Sequence, residues 1–215
     1  MWLDVHTHIF PGMDDGATSL LESQLMLDRL IEQKVHSVVL TPHFYSSQER
    51  LEDFLLRRDR AKEKLLSIEG IKEQSDQTNR GSFASYQGER TGDIKLFEAA
   101  ECQLSSTLLT YDTLDSLTFG EANYLLIEMT FEEEWSSRRY QLIDELIARF
   151  HVRPIIAHVE RYPATNYGKD LSVLDELISM GCMLQLNIES LLDRASKRVA
   201  RKLLSSKLIF VVFRL

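Results

Sequence analysis

Residues 4–8 read Asp4-Val5-His6-Thr7-His8 and close the first apolar run of the chain. Four further apolar runs also end in histidine or glutamate, and these ends read Thr41-Pro42-His43, Ala99-Ala100-Glu101, Leu126-Ile127-Glu128 and Ile156-Ala157-His158. Because side chains alternate in direction along a strand, His6 and His8 point the same way. In a parallel barrel the carboxyl ends of all strands meet on one face, so this pattern predicts one shared site.

Short apolar runs rich in β-branched residues alternate with longer amphipathic stretches along the chain. The predicted strands are 2–5, 35–40, 94–100, 124–127, 154–157, 182–186 and 208–212. The predicted helices are 20–33, 50–67, 138–150, 171–180 and 191–205. Continuous apolar runs suit parallel strands that are buried on both faces. The alternation predicts an α/β fold, with a seven-stranded (β/α) barrel as the first choice and an open doubly wound sheet as the alternative.

The length of 215 residues suits a single barrel domain, which we predict over 1–215. Successive strand starts are about 30 residues apart, as one βα unit requires. The interval between the strand starts at 35 and 94 is nearly double that. Its surplus is 69–93, a polar stretch rich in Ser, Gln, Gly and Arg without an apolar period. We predict that this stretch is a polar surface insertion in the domain.

Composition argues against several classes of protein. Lys and Arg number 25 against 33 Asp and Glu, and the net charge of −8 disfavours binding to nucleic acid or an anionic membrane. Two cysteines, Cys102 and Cys182, cannot form a disulfide framework, and we predict that both are small core residues. The sequence contains no apolar run of about 18 residues and no secretory signal. We therefore expect a cytoplasmic protein without a membrane span or a nucleic-acid partner.

The residue types at the strand ends indicate a metal site. Imidazoles and carboxylates without thiolates suit Mn, Fe or Zn. Asp14 and Asp15 follow the first strand as further candidate ligands. Several such ligands can hold two or three ions, which activate water and stabilise charge on phosphoryl oxygens. Arg161 follows His158 at the same rim, where its guanidinium could bind a phosphate through two hydrogen bonds.

Each of these residues alone also has an ordinary structural explanation. A His-x-His pair is a weak signal, His158 could be a hydrogen-bonded rim histidine, and Glu128 could be a buried partner of an arginine. His36 and His151 precede strands, so we expect them at the opposite end of the barrel, away from any metal. What indicates a site is that five consecutive strands end in such residues.

The motifs together resemble a known family. Asp-x-His-x-His is followed by Pro-Gly-Met-Asp-Asp-Gly at 11–16, and later come Thr-Pro-His at 41–43, Leu-Ile-Glu at 126–128 and Ala-His-Val-Glu-Arg-Tyr at 157–162. This combination is similar to the bacterial manganese-dependent protein-tyrosine phosphatases of the PHP (polymerase and histidinol phosphatase) superfamily. The similarity extends from residue 2 to about residue 212, with 69–93 as its main interruption.

The resemblance implies a distorted (β/α)7 PHP-type barrel that holds up to three manganese ions. It implies removal of phosphate from protein tyrosines, typically on bacterial tyrosine autokinases that control capsule or exopolysaccharide synthesis. By motif, the implied metal ligands are His6, His8, Asp15, His43, Glu101, Glu128 and His158. Arg161 matches the arginine that is expected to bind the phosphoryl group, where it would stabilise charge as an activated water displaces the tyrosine in line.

The C-terminus differs from the family pattern. Family members carry Ser-Asp-x-His directly after the seventh strand, and its Asp and His bind metal. This sequence instead reads Phe-Val-Val-Phe-Arg-Leu at 210–215. We therefore expect a barrel that is incomplete at this end and a weakened metal position. Two alternatives stay open: a PHP phosphatase for a small ester such as histidinol phosphate, and a catalytically impaired remnant that binds metal or a kinase tail.

Overall fold

A computed structural model describes residues 2–74, 81–88, 92–130, 135–162, 172–193, 196–205 and 209–212. The strands in these ranges are β1 (Trp2–Thr7), β2 (Val35–Leu40), β3 (His43–Phe44), β4 (Ile71–Glu73), β5 (Ala84–Gln87), β6 (Asp93–Glu98), β7 (Glu101–Gln103), β8 (Tyr124–Glu128), β9 (Arg153–Ile156), β10 (Met183–Asn187) and β11 (Ile209–Val212). The α-helices are α1 (Leu20–Glu32), α2 (Leu51–Leu66), α3 (Ser137–Phe150), α4 (Ser172–Ser179) and α5 (Lys197–Ser205).

The described strands form two sheets, with the orders β1-β2-β6-β5-β4 and β11-β10-β9-β8-β7-β3. β2 leads into β3 and β6 leads into β7, so the two sheets are joined through these chain segments, and β11 lies beside β1. The parallel strands therefore follow one another in chain order. Among the described strands this order lacks the reversal that a doubly wound sheet requires. The α/β class is confirmed, and the strand order agrees with the barrel topology expected from the sequence.

Helix α1 shows how local sequence sets an element's start. Its N-cap Ser19 accepts a hydrogen bond through Oγ from the Glu22 backbone N–H at 3.3 Å, while the Glu22 carboxylate accepts from the Thr18 N–H at 2.8 Å. These bonds satisfy backbone donors that have no partner within the helix. Leu27 and Leu30 then bury one face of the helix against the sheet. The helix predicted at 20–33 is thus confirmed, with its start fixed by the cap.

Two hydrophobic clusters lie on opposite faces of the parallel strands. The larger one fills the space between strands and helices and includes Leu125 and Ile127 of β8. The smaller one includes Leu126 of the same strand together with Val39, Ala99, Phe119, Ile155 and Ala157. Since side chains alternate along a strand, Glu128 lies on the same side as Leu126. The smaller apolar cluster therefore underlies the polar residues at the strand ends.

The stretch 69–93 contains two strands that its polar composition did not predict. β4 and β5 pair antiparallel with each other, and β5 pairs antiparallel with β6. Phe83, Ala84 and Tyr86 are buried there. Their alternation is too short to register as a strand pattern in the sequence. Residues 75–80 and 89–91 of the predicted insertion lie outside the described residues, and the single domain over 1–215 stays a prediction.

Other differences concern the lengths of elements. The strand predicted at 94–100 corresponds to β6, which ends at Glu98, and β7 follows it as a separate strand that was not predicted. His43 lies in the two-residue strand β3, which was not predicted either. The helix predicted at 191–205 is a 3₁₀ turn over Ile188–Leu191 followed by α5. In the part of the chain that the structure covers, no helix combines the length and apolar character needed to cross a membrane.

Candidate metal centre

A cluster of histidines and carboxylates lies where the parallel strands end, above the smaller apolar cluster. His6 belongs to β1, His43 to β3, Glu101 to β7 and Glu128 to β8. The structure brings together every strand-end residue named from the sequence: His6, His8, His43, Glu101, Glu128 and His158. His43 is partly exposed and the other five are buried. Their assignment as metal ligands stays a prediction, but their convergence on one place is an observed feature.

The carboxylate of Glu101 is the centre of the cluster. Its Oε2 lies 2.9 Å from His6 Nε2 and 3.3 Å from His8 Nε2. The same Oε2 is 3.3 Å from His43 Nδ1, and Oε1 is 2.9 Å from His158 Nε2. Burial acts to raise the pKa of Glu101, but the charge of His6 and hydrogen bonds from the histidines outweigh it and hold this pKa well below its usual range. An ionised carboxylate therefore faces four imidazoles.

Three groups of potential ligand atoms adjoin one another in the cluster. Within each group the atoms lie within 4.8 Å of one another, and the groups are His6, His8 and Glu101; His8, Asp15 and His43; and His43, Glu101 and Glu128. Neighbouring groups share His8, His43 or Glu101. Shared ligands are what a multinuclear site requires, because bridging side chains hold adjacent ions a few ångströms apart.

Asp14, a candidate ligand from its sequence position, lies behind His8. Its Oδ2 is 2.8 Å from His8 Nδ1 and also accepts the backbone N–H of His43 at 2.9 Å, while its Oδ1 accepts the N–H of Gly16. A carboxylate on the far nitrogen of a ligating histidine fixes its tautomer and orientation. Burial acts to lower the pKa of His8, but hydrogen bonds with Asp14 and Glu101 outweigh it and raise this pKa to about 9.

The rim of the cluster carries Asp15 and Arg161. The Asp15 side chain is 64% exposed, and its Oδ1 lies 3.4 Å from His43 Nε2. A cavity of about 280 Å³ opens beside Asp15, His6 and His8. Arg161 lies in the 3₁₀ turn Val159–Arg161, and its Nη2 donates to Glu189 Oε1 at 2.8 Å. A phosphate that binds this guanidinium must therefore share it with Glu189 or displace that carboxylate.

Two buried polar atoms of the cluster lack a hydrogen bond to any described residue, which indicates that these residues fit a bound metal. Glu128 Oε1 and His43 Nδ1 are buried, lie 2.9 Å apart, and have no hydrogen-bond partner of acceptable geometry among the described residues. Buried polar atoms without partners are costly, and a cation coordinated by both would satisfy them. The donor set of imidazoles and carboxylates suits Mn, Fe or Zn.

Cys102 follows Glu101 directly but belongs to the larger apolar cluster, as expected of a small core residue.

Two histidines were expected to lie away from the cluster. His36 and His151 are both exposed, and His151 forms the left-handed C-cap of α3, with φ of 52°. Neither residue lies at the carboxyl end of a strand, because His36 is the second residue of β2 and His151 precedes β9. Their exclusion from a metal site stays a prediction, and their positions near the strand starts agree with it.

Sequence reasoning missed a buried polar network on β10. Gln185 Oε1 lies 3.2 Å from His6 Nδ1, and Gln185 Nε2 donates to Asn187 Oδ1 at 2.6 Å. Beyond them, Glu160 Oε1 accepts from Ser190 Oγ at 2.7 Å. The signal that could have found this network is the period of two in Met183–Asn187, where the polar residues Gln185 and Asn187 alternate with leucines.

This arrangement occurs in a chain that matches a known family along nearly its whole length. The family profile described as "Capsular polysaccharide synthesis, CpsB/CapC" covers residues 2–213. The chain belongs to the CpsB/CapC family. The match includes every residue of the cluster, so the resemblance carried by the motifs is confirmed at the level of the family.

Curated CpsB/CapC relatives are named as tyrosine phosphatases. Tyrosine-protein phosphatase CpsB of Streptococcus agalactiae is 25% identical over 194 residues, which cover 89% of this chain and 70% of that protein. Tyrosine-protein phosphatase CpsB of Streptococcus pneumoniae is 28% identical over 197 residues, covering 86% and 67%. Tyrosine-protein phosphatase YwqE of Bacillus subtilis is 25% identical over 221 residues, covering 98% and 75%.

A solved structure from work on YwqE of Bacillus subtilis and CpsB of Streptococcus pneumoniae, described as metal-dependent tyrosine phosphatases, has the same fold. Its TM-score is 0.72 at 22% identity, with 98% of this chain and 77% of that chain covered. The predicted fold class is thereby confirmed. Residues 213–215 lie outside the described part of the chain, and the expectation of an incomplete C-terminal metal position stays a prediction.

Proposed function

We propose that this CpsB/CapC family member is a metal-dependent phosphatase that hydrolyses phosphotyrosine on proteins, with manganese as its metal. The observation that carries the proposal is the set of three adjoining ligand groups that share His8, His43 and Glu101. The names of the relatives, tyrosine-protein phosphatases in three species, support the same reaction. Up to three ions fit this number of groups, and iron or zinc would suit the same donors.

Different residues of the chain would bind the metal and the phosphoryl group. His6, His8, Asp15, His43, Glu101, Glu128 and His158 would hold the metal. When bound, such ions activate a water and stabilise charge on phosphoryl oxygens. Arg161 would exchange its bond with Glu189 for phosphoryl oxygens and so orient the ester for in-line displacement of the tyrosine.

The two cysteines argue against a thiol mechanism. Burial raises the pKa of the Cys102 thiol, and the charge of Glu101 raises it further. Burial likewise raises the pKa of Cys182. Since the thiolate is the reactive form of cysteine, neither side chain is suited to attack phosphorus at neutral pH. Hydrolysis by the metal centre needs no cysteine.

The proposed substrate is a tyrosine-phosphorylated protein, and a bacterial tyrosine autokinase is the partner that we infer. The family's description as capsular polysaccharide synthesis supports a role in capsule or exopolysaccharide regulation. The proposal places the enzyme and this substrate together in the cytoplasm. A small ester such as histidinol phosphate is the competing substrate.

The test compares hydrolysis of a phosphotyrosine peptide and of histidinol phosphate after chelation and after addition of Mn²⁺. We expect Mn²⁺-dependent release of phosphate from the peptide in clear preference to histidinol phosphate. The variant His43→Ala should lose this activity, and Cys102→Ser should keep it. Faster turnover of histidinol phosphate would overturn the substrate assignment. Failure to hydrolyse either ester with Mn²⁺ bound would overturn the proposal and favour the impaired remnant.

A further inference from the structure

We propose that Gln185 is a positioning residue that holds His6 in the tautomer with its proton on Nδ1, so that the Nε2 lone pair faces the metal centre. The inference rests on the proposed metal-dependent function, and it concerns a residue outside the set of ligands. Gln185 lies in the middle of β10 and is fully buried. Its amide contacts three groups, and each contact limits how that amide can be oriented.

The first contact fixes which end of the amide faces the histidines. Gln185 Oε1 accepts the backbone N–H of His158 at 2.6 Å. A backbone N–H can only donate, so the amide atom that faces it must be the oxygen. The nitrogen Nε2 consequently points the other way, where it donates to Asn187 Oδ1 at 2.6 Å. Donor and acceptor agree at both ends, which leaves a single orientation for the side chain.

The second contact determines which ring nitrogen of His6 carries the proton. The same Oε1 lies 3.2 Å from His6 Nδ1. Because an amide oxygen can only accept, the ring nitrogen that faces it must carry the proton. An imidazole that binds a metal is neutral and has one N–H, so with a metal bound Nε2 of His6 bears the lone pair. That nitrogen lies 2.9 Å from Glu101 Oε2 and 3.1 Å from His8 Nε2, at the centre of the cluster.

The hydrogen bond to Gln185 also bears on the backbone conformation of His158. This residue has φ of 35° and ψ of 51°, a left-handed conformation that is uncommon for a side chain other than glycine. The hydrogen bond from its N–H to Gln185 helps to hold this conformation, in which His158 Nε2 lies 2.9 Å from Glu101 Oε1. One amide therefore orients two candidate ligands that lie far apart in the chain.

The network behind Gln185 keeps the amide in place. The Asn187 backbone N–H donates to Glu160 Oε1 at 3.3 Å, and Ser190 Oγ donates to the same oxygen at 2.7 Å. Asn187 and Glu160 are each fully buried, and Ser190 is 4% exposed. A fixed, water-shielded support is what positions a ligand behind a metal centre.

The test determines directly whether His6 Nδ1 carries a proton. In ¹⁵N-labelled, Zn²⁺-loaded protein, nuclear magnetic resonance should show a His6 Nδ1–H proton protected from exchange. Gln185→Met removes the acceptor at similar volume, and we expect it to lose this protection and to weaken Zn²⁺ binding about 10- to 100-fold. Gln185→Glu keeps an acceptor oxygen, and we expect it to retain the protected proton. Loss of the proton in Gln185→Glu, or its retention in Gln185→Met, would overturn the proposal.

Further measurements distinguish a positioning role of Gln185 from a general effect on protein stability. They also distinguish this inference from the proposed function. Tyr86→Phe removes a partly buried hydrogen bond to Asp28 from β5, which belongs to the other sheet from Gln185, and we expect it to lower thermal stability without altering the His6 signal or Zn²⁺ affinity. If Gln185→Met does not fold, Gln185→Asn withdraws the amide from His6 and should give the same loss of protection. Wild-type protein that fails to hydrolyse phosphotyrosine yet shows the Gln185-dependent proton would refute the function and leave this inference standing.

Discussion

Nε2 of His6 and Nε2 of His8 lie 3.1 Å apart, and both are within 3.3 Å of the same carboxylate oxygen of Glu101. Two ring nitrogens at this distance need a proton or a metal ion between them. The far nitrogen of His8 is close to Asp14, and that of His6 is close to Gln185. Both rings are thus held from behind with the near nitrogens turned inward, an arrangement that suits a cation shared with Glu101.

Replacing Glu101 by glutamine should strongly weaken metal binding. The amide keeps the volume but removes the buried charge that four imidazoles face. We expect metal affinity to fall by more than about 100-fold, beyond the range typical of residues that only support a ligand. Metal content after dialysis against Mn²⁺ measures this. Glu98→Gln is the matched control, since Glu98 pairs with Lys62 at 3.0 Å away from the cluster. A Glu101→Gln protein with wild-type metal content would contradict the assignment.

Metal binding should depend on pH through His8. Burial acts to lower its pKa, but hydrogen bonds with Asp14 and Glu101 raise it from 6.5 to about 9. Because the folded value is the higher one, the proton on His8 stabilises the metal-free fold below pH 6.5, and this contribution is lost as the pH rises to about 9. A metal must displace that proton, so affinity should increase with pH over this window, by up to about tenfold per unit.

Titration calorimetry in two buffers of different ionisation enthalpy measures the proton released on Mn²⁺ binding. Asp14→Asn removes one partner that raises the pKa of His8, so the rise in affinity should move to lower pH. Equal proton release by both proteins at neutral pH would show that His8 is not the group that titrates.

The sequence was sufficient to predict the members of the cluster, because they are defined by local rules. Strand ends in a parallel barrel meet on one face, and a period of two turns His6 and His8 the same way. Those rules do not depend on distant contacts. The same reasoning separated His36 and His151 from the site, because neither residue lies at the carboxyl end of a strand.

What could not be predicted depends on contacts between distant parts of the chain. Gln185 lies next to His6 only because β10 and β1 both border β11, a relationship that no local pattern encodes. Asp14 and Asp15 are neighbours in sequence, and only the path of the loop places one behind His8 and the other at the rim. β5 has only four residues, of which Ala84 and Tyr86 are buried, and its strand conformation depends on its pairing with β6.

Arg161 and Glu189 should have opposite effects on substrate binding. The guanidinium donates to Glu189 Oε1 at 2.8 Å, with 32% and 47% of the two side chains exposed. Arg161→Ala should lower kcat/KM for a phosphotyrosine peptide by roughly 100- to 1000-fold, as loss of a donor to developing charge does. Glu189→Gln weakens the competing ion pair and should lower KM. Steady-state kinetics with Mn²⁺ measures both, and Arg29→Ala, which removes an exposed pair with Glu32, is the control. A rise in KM for Glu189→Gln would show that Glu189 orients Arg161 for the substrate.

Gly16 should be intolerant of any side chain, because it lies against the backbone of His8. A Cβ at this position would overlap the carbonyl oxygen and the Cβ of His8, and the adjoining Ala17 N–H donates to that same carbonyl at 2.9 Å. Gly16→Ala must therefore displace His8 or the loop, and we expect it to weaken Mn²⁺ binding as well as to lower the melting temperature. Gly181→Ala is the control: its φ of +88° makes a side chain strained, but no atom lies within 4 Å of the added Cβ. It should cost about 1 kcal/mol of stability and leave Mn²⁺ affinity unchanged. If both variants lose stability alone, the close approach of Gly16 is not what positions His8.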